Sequence, residues 1–277
     1  MTPLRQRTLD YMIIKGYAEA TKKTYIQRLK LFALHYNCCP SRLDENDVIA
    51  YLKYLSEVQK ASQSTLSAAY SAIKILFVNV LDRNWNSVKL PRPKRHKKLP
   101  VILSGEEVQS LFEVTTNIKH RALLMLIYSA GLRVSEVPKM RVRDLLFSRK
   151  QVFVRQAKGA KDRYSILSDS AIVGLRLYLK IYRPYKWLFC GQLAERPLSI
   201  RTIGAVYKQA KTKARILQPG GVHQLRHCFA THMLEAGMDI FTLQRLLGHT
   251  SIKTTATYLH LSDYDFSDFK HPLDFEK

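Results

Sequence analysis

VHQLRHCFATHM, residues 222–233, reads as an amphipathic helix with chemistry on one side. Leu225, Phe229, Ala230 and Met233 supply its apolar face. His223 and Arg226 are three apart and share a face, which sets a titratable base beside a fixed cation. His223, His227, Cys228 and His232 also raise the question of zinc. Their spacing distributes them around the helix and not along one edge, so no metal is expected.

Reading onward, LGHTSIKTTATY (247–258) places Gly248 at a helix end or tight turn. It sets His249 and Tyr258 nine residues apart, with Thr254 and Thr255 between. Taken alone, Tyr258 reads as a packed aromatic with a satisfied hydroxyl. Reading backward, RALLMLIYSA (121–130) is an apolar helix stopped by Gly131. Arg133 is expected to open another helical segment with Ser135 and Glu136, with Pro138 tolerated in its first turn. Alone, Arg133 reads as a surface arginine paired with Glu136. Val152–Val154 and Tyr164–Ile166 read as strands joined by a hairpin around Lys158, Gly159, Ala160, Lys161 and Asp162. Helices resume near Ile172, Ile200 and His223.

The N-terminal part, about residues 3–86, has helical periodicity throughout. Tyr25, Leu29, Phe32 and Tyr36 follow an expected cap at Thr21. Val48, Tyr51, Leu52 and Leu55 follow a cap at Asp44 or Asn46, and Leu66, Tyr70, Ile73 and Phe77 form a third face. Lys22, Lys23, Arg28, Lys30, Lys53 and Lys74 lie between these apolar positions: a solvated face, or a module that lies along DNA. KLPRPKRHKKLP (89–100) is an extended cationic linker, with Lys94, Arg95, Lys97 and Lys98 as candidate phosphate contacts. Ser104 and Glu107 then form a capping box that starts the next helix. The expected organisation is therefore a helical domain 1–88, a basic linker 89–100, a mixed and mostly helical domain 101–260 with a small β-sheet, and a tail 261–277.

Lys plus Arg total 45 and Asp plus Glu 22, a net charge of +23. Such an excess is offset by a polyanion, since each neutralised phosphate releases counterions; nucleic acid is favoured over an anionic membrane surface. The four cysteines form no CxxC pair and fit a reducing compartment. The N-terminus lacks the apolar run of a signal peptide. A soluble, cytoplasmic protein without a membrane partner is expected.

Cleaving a phosphodiester without metal needs a nucleophile, neutralisation of two non-bridging oxygens and a proton for the leaving oxygen. Tyrosine, two arginines, a loop lysine and a histidine meet those needs, and no Asp/Glu cluster suggests a Mg²⁺ site. No cofactor is expected.

GLRVSE (131–136), AKGAKDR (157–163), HQLRHCFATHMLEAG (223–237) and LGHTSIKTTATY (247–258), in that order, resemble the tyrosine recombinase, or phage-integrase, family. Xer-type recombinases and integron integrases are the most similar branches, although the extra helix that integron integrases carry before the HxxR block has no counterpart here. EATKKTYIQRLKLF (19–32) resembles the family's core-binding domain. The resemblance implies that Arg133 and Arg226 clamp the scissile phosphate, Lys158 is the general acid with Lys161 as its rival, and His223 is the general base. It implies further that His249 donates a hydrogen bond to the phosphate, Tyr258 is the nucleophile, and Glu136 and His227 brace the arginines. It also implies a homo-tetramer on two duplex DNA sites, with or without a partner recombinase, and a Holliday-junction intermediate. A type IB topoisomerase and a non-catalytic DNA-binding relative are the alternatives.

Overall fold

The computed structural model describes residues 2–85, 92–93, 99–155 and 162–261. The chain divides into two compact units, Met1–Lys98 and Leu99–Lys277. Lys94, Arg95, Lys97, Lys98, Lys158, Lys161 and the tail from Ser262 onward lie outside the described residues.

The first unit is a helical bundle: α1 (Pro3–Ile14), α2 (Glu19–Tyr36), α3 (Glu45–Glu57) and α4 (Gln63–Ile75), the last continuing into a π-helical turn, Leu76–Val80. Asp44 starts α3. Its carboxylate accepts from the amides of Asn46 (2.7 Å) and Asp47 (3.0 Å), and Asp47 accepts from the Asp44 amide (2.8 Å). This reciprocal cap satisfies amides that a helix start leaves without partners. Thr21 does not cap α2. The helix starts earlier, after an extended Ala18, and Glu19 pairs with Lys22 across the first turn, where a carboxylate suits the positive helix end. Phe32, Val48, Tyr51, Ile73 and Phe77 fill the core.

The second unit begins with α5 (Gly105–Glu113) and α6 (Ile118–Ser129). The Ser104–Glu107 box forms as expected: the Glu107 amide donates to Ser104 Oγ (3.1 Å) and the Ser104 amide to Glu107 Oε2 (2.9 Å). Leu123, Leu124, Leu126 and Ile127 of α6 are all fully buried. A helix apolar on every side belongs in a core, and α6 packs against both flanking helices, α7 (Asp169–Tyr182) and α9 (His223–Glu235). A three-stranded antiparallel sheet, β1 (Leu145–Leu146), β2 (Gln151–Val154) and β3 (Arg163–Ile166), lies between α6 and α7 in sequence. β1 carries too short an apolar pattern to have been expected. On β3, Arg163 and Ser165 face inward and are buried, while Tyr164 faces out against Phe153 (ring centroids 5.0 Å). Next come α8 (Ile200–Lys213), then α9, α10 (Ile240–Leu247) and α11 (Ile252–Thr255), which runs into a single 3-10 turn ending at Tyr258.

Arg133 does not open an α-helix. Residues 134–136 form a turn, followed by a 3-10 turn at Val137–Lys139. The Glu136 carboxylate accepts the Arg133 amide (2.8 Å), and Pro138 has no amide to extend a ladder. Among the described residues no helix is long and apolar enough to cross a membrane.

Candidate active site

The site is organised by the C-terminus of α10. The last carbonyls of a helix lack intrahelical partners and carry its negative dipole end. Three consecutive carbonyls here each accept from a different arginine. Leu246 O accepts from Arg163 Nε (2.7 Å), Leu247 O from Arg226 Nη2 (2.8 Å) and Gly248 O from Arg133 Nη2 (3.2 Å). Gly248 ends the helix in the left-handed region (φ 64°), and a Cβ there would lie 2.9 Å from Arg163 Cδ. Across the site, Gly131 has φ +57°, and its carbonyl accepts from Arg226 Nη1 (2.6 Å). A side chain at Gly131 would meet the Phe229 ring at 2.4 Å, so only glycine lets α6 end this close to α9.

Arg226 is 1% exposed. Burial, then the nearby Arg133 charge, pushes its guanidinium down to about 9 against the pull of Glu136. Glu136 is also buried. Both its oxygens accept from Arg163, Oε1 from Nη1 and Oε2 from Nη2 (2.8 Å each), and Oε1 also accepts from Arg133 Nη1 (3.0 Å). Burial alone would raise the Glu136 carboxyl. The hydrogen bonds and charge of Arg163, the Arg133 amide and the Arg226 charge outweigh it and hold the carboxyl below its usual range. Two guanidinium groups thus bond one carboxylate while a third, Arg226, acts on it through charge, and the cluster stays positive.

His249 follows Gly248. Its Nε2 lies 3.0 Å from Arg226 Nη2 and its Nδ1 3.0 Å from Thr255 Oγ1. A guanidinium can only donate, so Nε2 accepts and the ring proton is on Nδ1. Burial first, then Arg226 and Arg133, drives this imidazole down to about 3, so it is neutral. The Tyr258 ring lies parallel to it (centroids 6.4 Å, 10° between planes). Tyr258 is 4% exposed. Burial raises its hydroxyl pKa, partly countered by Arg226 and Arg133.

The hydroxyl of Tyr258 pairs with His227 Nδ1 at 2.9 Å. His227, the expected brace for the arginines, therefore touches the tyrosine. Burial, then His223 and Arg226, brings His227 down to about 4. His223 packs edge-on against His227 (centroids 4.9 Å, 84°). Its pKa is also lowered, by desolvation and then by Arg226 and Arg133, although the residue is exposed and solvent screens part of this. The other two residues weighed as zinc ligands have protein partners: Cys228 Sγ accepts from the Leu103 amide (3.2 Å), and His232 lies between Tyr128 Oη (2.8 Å) and Leu103 O (2.9 Å).

The structure therefore gathers Arg133, Glu136, His223, Arg226, His227, His249 and Tyr258. Lys158 lies outside the described residues. Lys22 and Lys23 stand on α2 of the first unit, Lys22 half-buried against Glu19 and Lys23 exposed along the same turn. Sequence reading gave no role to Arg163. The available signal was a charged residue at an inward strand position, which demands a buried partner.

A mostly helical domain that collects a buried tyrosine, three histidines and a positive arginine cluster around one helix end defines an enzyme class built for phosphodiester chemistry. Residues 102–264 match the phage integrase family, and residues 4–87 match the phage integrase N-terminal SAM-like domain. The tyrosine recombinase XerA of Pyrococcus horikoshii is 34% identical over 90% of this chain and 85% of its own length. The tyrosine recombinase XerD of Oceanobacillus iheyensis is 33% identical over 82% of this chain and 81% of its own. A crystal structure of XerA recombinase superposes with a TM-score of 0.56 at 29% identity, covering 94% of each chain. A lambda integrase tetramer bound to a Holliday junction gives 0.75 at 17% identity, covering 97% of this chain and 78% of its own, a likeness of fold alone. The chain belongs to the phage integrase family and is a tyrosine recombinase.

Proposed function

We propose that the chain cleaves and rejoins duplex DNA at a specific site through a 3′-phosphotyrosyl bond. The observation that carries this reading is the positive cluster of Arg133 and Arg226, which shares its helix end with His249 and lies beside the ring of Tyr258. A scissile phosphate would be the anion this cluster lacks. The two guanidiniums would fork onto its non-bridging oxygens, and phosphate would compete with His249 Nε2 for Arg226. Tyr258 Oη attacks phosphorus as the bond to the 5′ oxygen breaks. Lys158 protonates the leaving oxygen. The phenol proton passes to a histidine: His223 in the family-based reading, with His227 as the ring already on the hydroxyl in this structure. The incoming strand's 5′ hydroxyl reverses these steps, so bond energy is conserved and no nucleotide cofactor enters.

The charge of +23 supports a duplex DNA partner. The finer reading is a homo-tetramer on two sites that proceeds through a Holliday junction. The helical domain 1–88 and the domain 101–260 each bind DNA, with the linker 89–100 contacting phosphates, and the tail 261–277 docks on a neighbouring protomer. The protein works in the cytoplasm.

The test uses nicked duplexes carrying randomised sequence. Wild-type protein should capture a defined site covalently, and the recovered duplex is the substrate for all later assays. Tyr258→Phe should bind that duplex and form no adduct. A surviving adduct would move the nucleophile to another tyrosine.

A further inference from the structure

The geometry points to Arg163 as a positioning residue for strand cleavage, acting through Glu136 on Arg133. It rests on the proposed phosphate-clamping role of Arg133.

Arg163 never needs to touch the phosphate in this scheme, because its side chain is already committed. Its two Nη groups each hold one oxygen of Glu136 at 2.8 Å, and its Nε holds Leu246 O at 2.7 Å. It is 8% exposed and stands at the first position of β3, paired in register with Val154. Glu136 uses the same two oxygens to orient Arg133, one on its backbone amide (2.8 Å) and one on its guanidinium (3.0 Å). A carboxylate with one arginine partner can rotate; with both oxygens gripped from β3 it cannot, so the Arg133 guanidinium is aimed. The remaining Arg163 bond ties the same fork to the end of α10, the helix end on which Arg133 and Arg226 also rest. Its stem lies against Gly248, where even a Cβ would crowd it. One planar fork thus joins three chain segments that are remote in sequence. A lysine has the charge and not the geometry.

The test compares Arg163→Lys with Arg133→Ala in the full-length chain, using the captured duplex in single turnover. Arg163→Lys should bind the duplex within about 3-fold of wild type and form adduct about 10- to 100-fold more slowly, a loss like that seen when the partner that orients a metal ligand is removed. Arg133→Ala should lose about 10²- to 10³-fold, as for a lost oxyanion partner. The distinguishing readout is a duplex with a methylphosphonate at the scissile position, which carries no charge for an arginine to neutralise. Both variants should there come within about 3-fold of wild type, and Arg163→Lys should add less than about 3-fold to Arg133→Ala on the ordinary phosphate. If Arg163→Lys unfolds, the double variant Glu136→Gln with Arg163→Gln removes one positive and one negative charge together, leaves the net charge of the cluster unchanged and must show the same split between binding and cleavage. Wild-type cleavage by Arg163→Lys, equal defects on both substrates, or multiplying defects in the double variant would overturn the inference while leaving the clamp intact. Normal cleavage by Arg133→Ala would overturn the clamp, and the inference with it.

Discussion

His227 and His249 should make the second unit lose stability in acid, within a window set by their surroundings. Burial first, then His223 and Arg226 around His227 and Arg226 and Arg133 around His249, hold these imidazoles at about 4 and about 3. An unfolded chain protonates histidine at about 6.5. Below that value the unfolded state takes up protons that the folded state refuses, so stability is complete at neutral pH and falls as pH drops from about 6.5 toward the folded values. At about pH 5 the full linkage would cost about 2 kcal/mol per ring. Both residues are half-buried, and solvent screening brings the expected loss to about 1 kcal/mol each. Glu136 does not interfere, because its lowered carboxyl pKa confines its own loss to pH below about 4.5. The assay is urea unfolding of full-length DNA-free protein at about pH 7.5 and about pH 5, followed by fluorescence. The chain has two tryptophans, Trp85 and Trp187, so a Trp85→Phe background leaves Trp187 to report on the second unit. His227→Gln and His249→Gln do not titrate and should each remove about 1 kcal/mol of the acid loss. Equal stability at both pH values, or Gln variants that keep the whole loss, would refute the reasoning.

Three further outcomes are expected. Lys158→Ala should slow cleavage of a normal duplex, and a 5′-phosphorothiolate, whose sulfur leaves without a proton, should largely restore it; equal defects on both would shift the general acid to Lys161. Replacing Lys94, Arg95, Lys97 and Lys98 with Gln should flatten the dependence of log K on log salt by about 0.9 for each phosphate no longer neutralised, and an unchanged slope would remove the linker from the interface. Truncation after Ser262 should spare binding of one protomer to one site and reduce assembly on two sites, as read by gel shift; wild-type assembly would return the tail to its own domain.

How far the sequence carries depends on the kind of signal. Helices with strong periodicity and side-chain caps were legible, because the cap lies within three residues of the helix it starts. Asp44 and Ser104 were placed that way, whereas Thr21 misled because a helix can start from an uncapped alanine when an i,i+3 pair follows. The segment after Gly131 shows how a helix-start signal can fail: the Glu136 carboxylate on the Arg133 amide is the same contact that starts α3 and α5, but Pro138 brings no amide to the following turn and the chain makes only a 3-10 turn. The residue types of the site were legible too, since Arg133, His223, Arg226, His249 and Tyr258 fall in short, ordered motifs.

What joins those motifs is a set of backbone acceptors, and a carbonyl has no letter in a sequence. Arg163 lies 27 residues from Glu136 and 83 from Leu246, so neither partner could be paired with it by spacing. The same limit governs the histidines. His223 and His227 are one helical turn apart, and which of them meets Tyr258 is decided by how α9 docks against the chain from Gly248 to Tyr258. That docking is set by Arg226, buried between Gly131 O and Leu247 O. Arg226 holds two carbonyls in the free protein, and in the proposed complex it would grip a phosphate as well, which needs the α10 end to be rigid without it. Arg163, bound to the neighbouring carbonyl of Leu246 and committed to no phosphate in this scheme, supplies that rigidity.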